Sequence, residues 1–258
     1  MRGAGLLGRS LLTLWFLLPV LGVVVWAGAD EWRSPATLPT DWGLRGWDQS
    51  WDQDMAPALL RSAVLSLLVA TLATPLGAAA ARWLSYTRSP TRSLVAAIML
   101  APVFLPPFAL VLGSDVILLR LQMPALAGVV LVLTVLALPY TTYVMLATYQ
   151  SYDPGYDDEA RTLGASAVTA LVRVHLPLVM PGIVTAWFLA LLVGWSDYVV
   201  TLVIGGGLFV TAPLLVAAQA SGTGNEPAVA ALVVVTVVPP LVLAVLVSRL
   251  WPRITLEA

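Results

Sequence analysis

Six long apolar runs constrain this chain more than any motif in it. They extend from about Ser10 to Ala27, Leu59 to Ala81, Leu94 to Leu119, Ala125 to Tyr149, Pro181 to Ile204 and Ala228 to Val247. The hydrocarbon core of a bilayer is about 30 Å thick, and about 20 such residues in a helix cross it. Hydrocarbon supplies no hydrogen-bond partner, so each run must satisfy its own backbone, which a helix does within one segment. Composition agrees: 59% of the 258 residues are hydrophobic and 10% are charged, where an ordinary soluble domain carries roughly 25% charge. Surface-to-volume scaling leaves a water-soluble fold of this size too little interior for so much apolar surface. The expected fold is an all-α integral membrane protein with six transmembrane helices, in one domain over residues 1–258. Apolar residues surround each run, so periodicity does not separate lipid-facing from packed sides.

The arginines orient the bundle. With the N-terminus inside, the cytoplasmic side holds Arg2, Arg9, Arg82, Arg88, Arg92, Arg161, Arg173, Arg249 and Arg253. The outside receives Arg33, Arg45, Arg61 and Arg120. This asymmetry follows the positive-inside rule and puts both termini in the cytoplasm. Arg2, Arg9, the first apolar run and the small residues Ala27-Gly28-Ala29 also fit a signal peptide, whose removal would leave five spans in the same orientation. The expectation here is an uncleaved first helix, because its apolar run lies at the upper limit for a signal sequence.

Several functions are excluded by what is missing. The chain has no cysteine and one histidine, His175, so neither a thiol site nor a multi-histidine zinc site can be assembled from it. All 13 basic residues are arginine, and no phosphate-binding loop ending in Gly-Lys-Ser/Thr is present. Any ATP used must therefore be bound by another chain. No nucleophile elbow or His-Glu-x-x-His motif occurs either. No catalytic residue, metal or cofactor is expected, and a net charge of −1 gives no footprint for nucleic acid.

Two polar segments stand out. The first loop, about Gly28 to Met55, carries Asp30, Glu31, Asp41, Asp48, Asp52 and Asp54 together with Trp32, Trp42, Trp47 and Trp51. It fits either an acidic surface with tryptophans at headgroup level or a docking surface for an extracytoplasmic partner. The second, residues 150–180, is a cytoplasmic loop by the arginine count. Asp153-Pro154-Gly155 predicts a turn. Asp157, Asp158 and Glu159 then open a helix at the end where its dipole favours negative charge. Gly164 breaks that helix, and Ser166 is placed to cap a second one from Ala167 to His175. Pro177 and Pro181 are expected to end it and lead into the fifth span. Ala160, Leu163, Leu171 and Val174 make the pair apolar enough for a groove on another protein, or for a lipid surface.

This loop resembles the EAA loop of permease subunits in binding-protein-dependent ABC importers: Glu-Ala-Ala, three residues, Gly, nine residues, Ile-x-Leu-Pro. Here Asp158-Glu159-Ala160, Arg161-Thr162-Leu163 and Gly164 fill the first half, and Val174-His175-Leu176-Pro177 follows after nine residues. Asp158 keeps the charge of the motif's Glu. Glu159 in place of Ala makes the surface more acidic, and Val174 replaces Ile. The resemblance covers roughly spans two to six. It implies a type I importer permease fold in a bacterial plasma (inner) membrane, with two permease subunits forming the path, the second a paralogue or a copy of this chain. Two ATP-binding subunits would each receive one short helix in a surface groove. A solute-binding protein or lipoprotein would deliver solute from outside. Asp158, Glu159, Ala160, Arg161, Leu163, Gly164, Leu176 and Pro177 would form the coupling element, with Asp158 its polar anchor. Gly164 would let the helix bend into the groove because it lacks a Cβ.

Charge within a membrane span is a functional hypothesis by default. Asp115 lies near the outer end of span three, where it could also pair with Arg120. Asp197 lies in span five, roughly 24 Å from the inner end at about 1.5 Å per residue. Ser196 and Asp197 belong to a string, Gly194-Trp195-Ser196-Asp197-Tyr198-Val199-Val200-Thr201-Leu202. It is similar to the span-five segment of permeases for polyamines, thiamine, ferric iron and aminoalkylphosphonates, and less similar to that of sugar permeases. Two acids favour a cation: unit charges about 4 Å apart attract by about 4 kcal/mol at an effective dielectric of about 20. Polyamine or thiamine thus ranks above a sugar. Pro102, Pro106, Pro107, Pro139, Pro239 and Pro240 interrupt the spans as kinks, hinges or pore-lining breaks. A different class, an ion-coupled secondary transporter using Asp115 and Asp197 as a relay, would need no ATPase.

Overall fold

The computed structural model describes residues 2–33, 35–52 and 54–256. Ala258, the expected cytoplasmic end, lies outside them, as do the side chains of Arg2, Arg9, Asp52 and Arg253. The chain runs through α1 (Arg2–Ala27), β1 (Ala29–Glu31), β2 (Asp41–Trp42), α2 (Arg45–Asp52), α3 (Met55–Tyr86), α4 (Arg92–Phe104), α5 (Pro107–Arg120) and α6 (Ala125–Ser151). It continues through α7 (Gly155–Thr162), α8 (Ala167–Ala170), a π-helical turn (Leu171–His175), α9 (Leu176–Trp195), α10 (Val199–Val203), α11 (Ala212–Ala220) and α12 (Glu226–Leu256). The fold is built from helices, as expected. Among the described residues, four helices are long and apolar enough to cross a membrane, or five if α4 and α5 count as one bent span. Leu17–Ala27 is a shorter apolar helix. The chain divides into two compact units, residues 1–60 with 211–239, and residues 61–210 with 240–258.

In the first unit the acidic loop is ordered by its own polar groups. β1 and β2 pair antiparallel. Asp30 accepts a 2.9 Å hydrogen bond from the Arg45 backbone N–H at the start of α2, which places a carboxylate at the positive end of that helix. The Trp47 indole donates to the Ala27 carbonyl at 2.7 Å, and Trp26 and Trp32 pack with centroids 5.1 Å apart. Ser50 donates to the Ala228 carbonyl at 3.0 Å. Trp42 and Trp51 remain exposed.

In the second unit α3, α6 and α9 approach closely. A Cβ on Gly182 would collide with Thr148, one on Gly77 with Thr141, and one on Gly194 with Ser66. Small residues let helices gain close packing where lipid provides no hydrophobic drive for association. Ala81, Met145, Tyr149, Val179 and Ala186 form a buried core between them.

Two spans differ from expectation. The third, Leu94 to Leu119, is two helices bent by 105°. Pro106 forces the residue before it out of the helical region, and Leu105 and Pro106 are both extended, with ψ of 137° and 126°. Pro75, Pro102, Pro139 and Pro181 stay inside helices, as do Pro239 and Pro240. The second correction concerns Pro177 and Pro181, which do not end the helix begun at Ala167. It runs on to Trp195 as one 29-residue helix. A proline ring clashes with the carbonyl four residues earlier. The π turn just before Pro177 widens the helix there, and the Leu176 N–H reaches the Leu171 carbonyl.

Candidate functional site

The 150–180 loop is shaped by backbone rules. Asp153 accepts a 2.9 Å bond from the Gly155 N–H, turning the chain out of α6 as its side chain mimics a backbone turn. Asp157 and Asp158 sit in the first turn of α7 and Arg161 in its last, each sign matched to the dipole. Gly164 ends α7 with φ +89°. Its N–H reaches the Arg161 carbonyl and that of Ala165 reaches the Ala160 carbonyl, both at 3.0 Å, a Schellman turn. Nothing lies within 4 Å of where its Cβ would be. Within this chain, therefore, left-handed backbone rather than lack of room demands glycine at 164. Ser166 caps α8, accepting from the Thr169 N–H at 3.2 Å.

The motif residues fall into two sets. Asp158, Glu159, Arg161, Leu163, Gly164 and Pro177 are exposed, and Ala160 and Leu176 are half-buried. Leu163 is 88% exposed and Val168 69%; Tyr156, Leu171 and Val172 are also exposed. Of the four apolar residues expected at a partner surface, Leu163 and Leu171 are exposed, while Ala160 and Val174 are half-buried. Tyr156, Val168 and Val172 extend that surface beyond them.

Behind it lies a polar cluster that the motif does not mark. His175 is 3% exposed. Its Nδ1 lies 3.2 Å from Asp157 Oδ2, so Nδ1 is the donor to that carboxylate. The other carboxylate oxygen accepts from the Tyr152 hydroxyl at 2.8 Å. Burial first, and then this bond to Asp157, push the Tyr152 hydroxyl well above its ordinary range, which keeps it a neutral donor. His175 Nε2 lies 3.5 Å from the Tyr149 hydroxyl, and Tyr86 donates to the Tyr149 carbonyl at 3.3 Å. The imidazole stacks on Tyr149 and meets Tyr152 edge-on, with centroids 5.8 and 4.9 Å away. The one signal in the sequence was an isolated histidine at the mouth of an apolar span.

Ser196 and Asp197 stand in a break between α9 and α10. They line a cavity of about 450 Å³ with Pro102, Leu105, Tyr140 and Tyr198, so the bent α4–α5 pair contributes its corner to the wall. Asp197 accepts from the Val200 N–H at 3.2 Å, the Thr201 N–H at 2.8 Å and the Thr201 hydroxyl at 2.7 Å. Tyr198 holds the N-cap position of α10, and Asp197, one residue before it, supplies the oxygens that satisfy the helix's free N–H groups. Asp115 lies apart, on a separate cavity of about 310 Å³ with Met123, Gly128 and Gly206. Among the described residues no ion pair joins it to Arg120, and the two acids line different cavities. No described group of three or more metal-ligating side chains is present.

Comparison with known proteins adds the family. Residues 73–256 match the profile described as "Binding-protein-dependent transport system inner membrane component". The probable molybdenum ABC transporter permease protein of Haloferax volcanii is 32% identical over 195 residues, covering 70% of this chain and 66% of that one. This chain thus spans just under two thirds of that relative. The spermidine/putrescine permease protein PotC of Haemophilus influenzae is 27% identical over 218 residues, covering 81% and 83%. Among solved structures, a bacterial ABC transporter involved in import of the acidic polysaccharide alginate aligns with TM-score 0.67 and 16% identity over 96% of each chain, a likeness of fold.

Proposed function

The chain belongs to the family of binding-protein-dependent transport system inner membrane components, and on that premise we propose that it forms half of the solute path of an ATP-driven importer. It is a membrane transport component and not itself an enzyme. The other half is a second, paralogous permease surrounded by the same lipid. The 150–180 loop faces the cytoplasm, with both termini on that side, and docks into an ATP-binding subunit. A solute-binding protein or lipoprotein meets the opposite face. The observation that carries the docking role is the exposed apolar surface of Leu163, Val168 and Leu171 beside Asp158 and the Gly164 turn. Large apolar side chains in water beside a polar anchor suit a protein groove better than a lipid surface, because α7 also carries Asp158 and Glu159 outward.

Leu163→Asp and Val168→Asp place a charge where that groove would close. Both variants should insert normally yet lose co-purification of the ATP-binding subunit. Retention of the subunit by both would refute the docking role.

For the solute we propose a small cation, a polyamine first. Asp197, Tyr140 and Tyr198 line one cavity, and aromatic faces beside a carboxylate attract cations. The PotC relative is named for spermidine and putrescine. A second possibility, an oxyanion, rests on the molybdenum relative and on the three donors already directed at Asp197. Uptake of labelled spermidine and labelled molybdate, in cells with and without the gene, separates the two.

A further inference from the structure

The docking role leaves one thing unexplained: how movement of an eight-residue helix reaches the membrane spans. α7 is bounded by the Asp153-Pro154 turn on one side and the left-handed Gly164 on the other. Both are turns of a few residues at which a short helix could pivot. A partner pulling on a pivoting helix would move that helix alone.

Side chains, not backbone, oppose the pivot. Asp157 on α7 holds the Tyr152 hydroxyl at 2.8 Å and the His175 ring at 3.2 Å, one donor on each oxygen. His175 closes the π turn and leads into α9, while its ring stacks on Tyr149 of α6. The Tyr86 hydroxyl at the end of α3 donates to the Tyr149 carbonyl. The contacts therefore run from α7 to α9, from α9 to α6, and from α6 to α3. They are shielded from water at the centre, where His175 is buried, so the hydrogen-bonded contacts are weakened little by solvent. The neighbouring Asp158 is exposed and faces outward. Adjacent acids on one turn thus have opposite tasks.

We infer that Asp157 and His175 form an internal clasp that makes the docked helix a rigid extension of the fourth and fifth spans, and that they are positioning residues for coupling rather than part of the docking surface. This rests on the docking role proposed above. Docking needs the exposed set; transmission needs the buried one.

The test uses the whole transporter, permease with its ATP-binding partners, and needs no knowledge of the solute. The chain has no cysteine, so Ser196→Cys provides a single thiol on the cavity. Its rate of reaction with a charged thiol reagent, with and without ATP and orthovanadate, reports whether nucleotide closure reaches the path. In this background His175→Phe keeps an aromatic ring but removes both hydrogen bonds. Asp157→Ala removes the carboxylate. Asp157→Asn keeps an acceptor for Tyr152, and its amide can donate to the other tautomer of His175. Coupling free energies between sites correspond to about 5–150-fold effects. His175→Phe and Asp157→Ala should therefore co-purify with the ATP-binding subunits and hydrolyse ATP, yet lose most of the ATP-dependent change in labelling. Asp157→Asn should keep it.

An unchanged labelling response in both His175→Phe and Asp157→Ala overturns the clasp. So does loss of the ATP-binding subunit from His175→Phe, since the pair would then only shape the docking face. If the parental Ser196→Cys transporter shows no response to ATP and vanadate, the docking role fails, and the clasp with it.

Discussion

Two breaks in the helices carry acidic residues that can be compared, the Tyr152 to Ser166 stretch that brackets α7 and the Ser196 to Tyr198 break between α9 and α10, and the two use their acids differently. At the first, one carboxylate turns inward to His175 and Tyr152 while its neighbour Asp158 stays in water. At the second there is one carboxylate, and three donors from α10 occupy it. A charge with its own helix to cap holds the cavity wall in place before it does anything to a solute. A charge next to one already occupied remains available to a partner. The sign of a residue is the same in both places; what its neighbours leave unsatisfied decides its work.

The largest expected effect lies at the first break. Gly164→Val puts a β-branched residue at φ +89°, where any Cβ costs about 1–2 kcal/mol and a branched one more. α7 should lose its terminating turn, and ATP-binding subunits should no longer co-purify. Gly164→Asn, which tolerates left-handed backbone, should retain them. Equal behaviour of the two variants would show that the turn is not what matters at this break.

A smaller effect is expected at the second. Asp197→Ala removes the oxygens that cap α10 at a cost of about 0.5–2 kcal/mol, whereas Asp197→Asn keeps an accepting oxygen. If capping is the main task, uptake of labelled spermidine should fall with alanine and survive with asparagine. Loss with both would instead make the charge itself necessary, as direct contact with a cation demands.

The mildest perturbation asks only where the segments lie. Reporter insertions after Trp42 and after Leu163 should report opposite sides of the membrane, and a fusion at Ala258 should agree with Leu163. A shared side for Trp42 and Leu163 would remove the proposed docking face from the cytoplasm.

What the sequence made legible follows the same division. Gly164 could be placed because left-handed backbone leaves a residue-type signature, and Ser166 because a cap needs a side-chain oxygen at a fixed offset. The apolar runs revealed helices for the same reason: the solvent imposes a length. Asp157 could not be assigned, since its partner His175 lies 18 positions away and is reached only because a continuous helix folds back past it. The 105° bend of the third span was open to view in Leu105-Pro106-Pro107, yet Pro75, Pro102, Pro139, Pro181, Pro239 and Pro240 stay within helices, so proline alone does not tell a kink from a corner. Asp197 was visible as an acid in a span, while its three donors depend on a helical restart at Val199 that no pattern announced.

The π turn at Leu171–His175 has a consequence for how such a chain tolerates change. A helix gains about 100° of rotation for each added residue, and a π turn holds one residue more than an α turn in the same rise. It acts as a phase shifter. The face that the loop end of the helix shows to its surroundings is set independently of the face that the membrane end shows to α6. Deleting one residue there would restore an ordinary helix with every backbone bond intact. One end of that helix would nonetheless be turned out of register with the other, leaving a well-folded rod with its two ends facing the wrong neighbours.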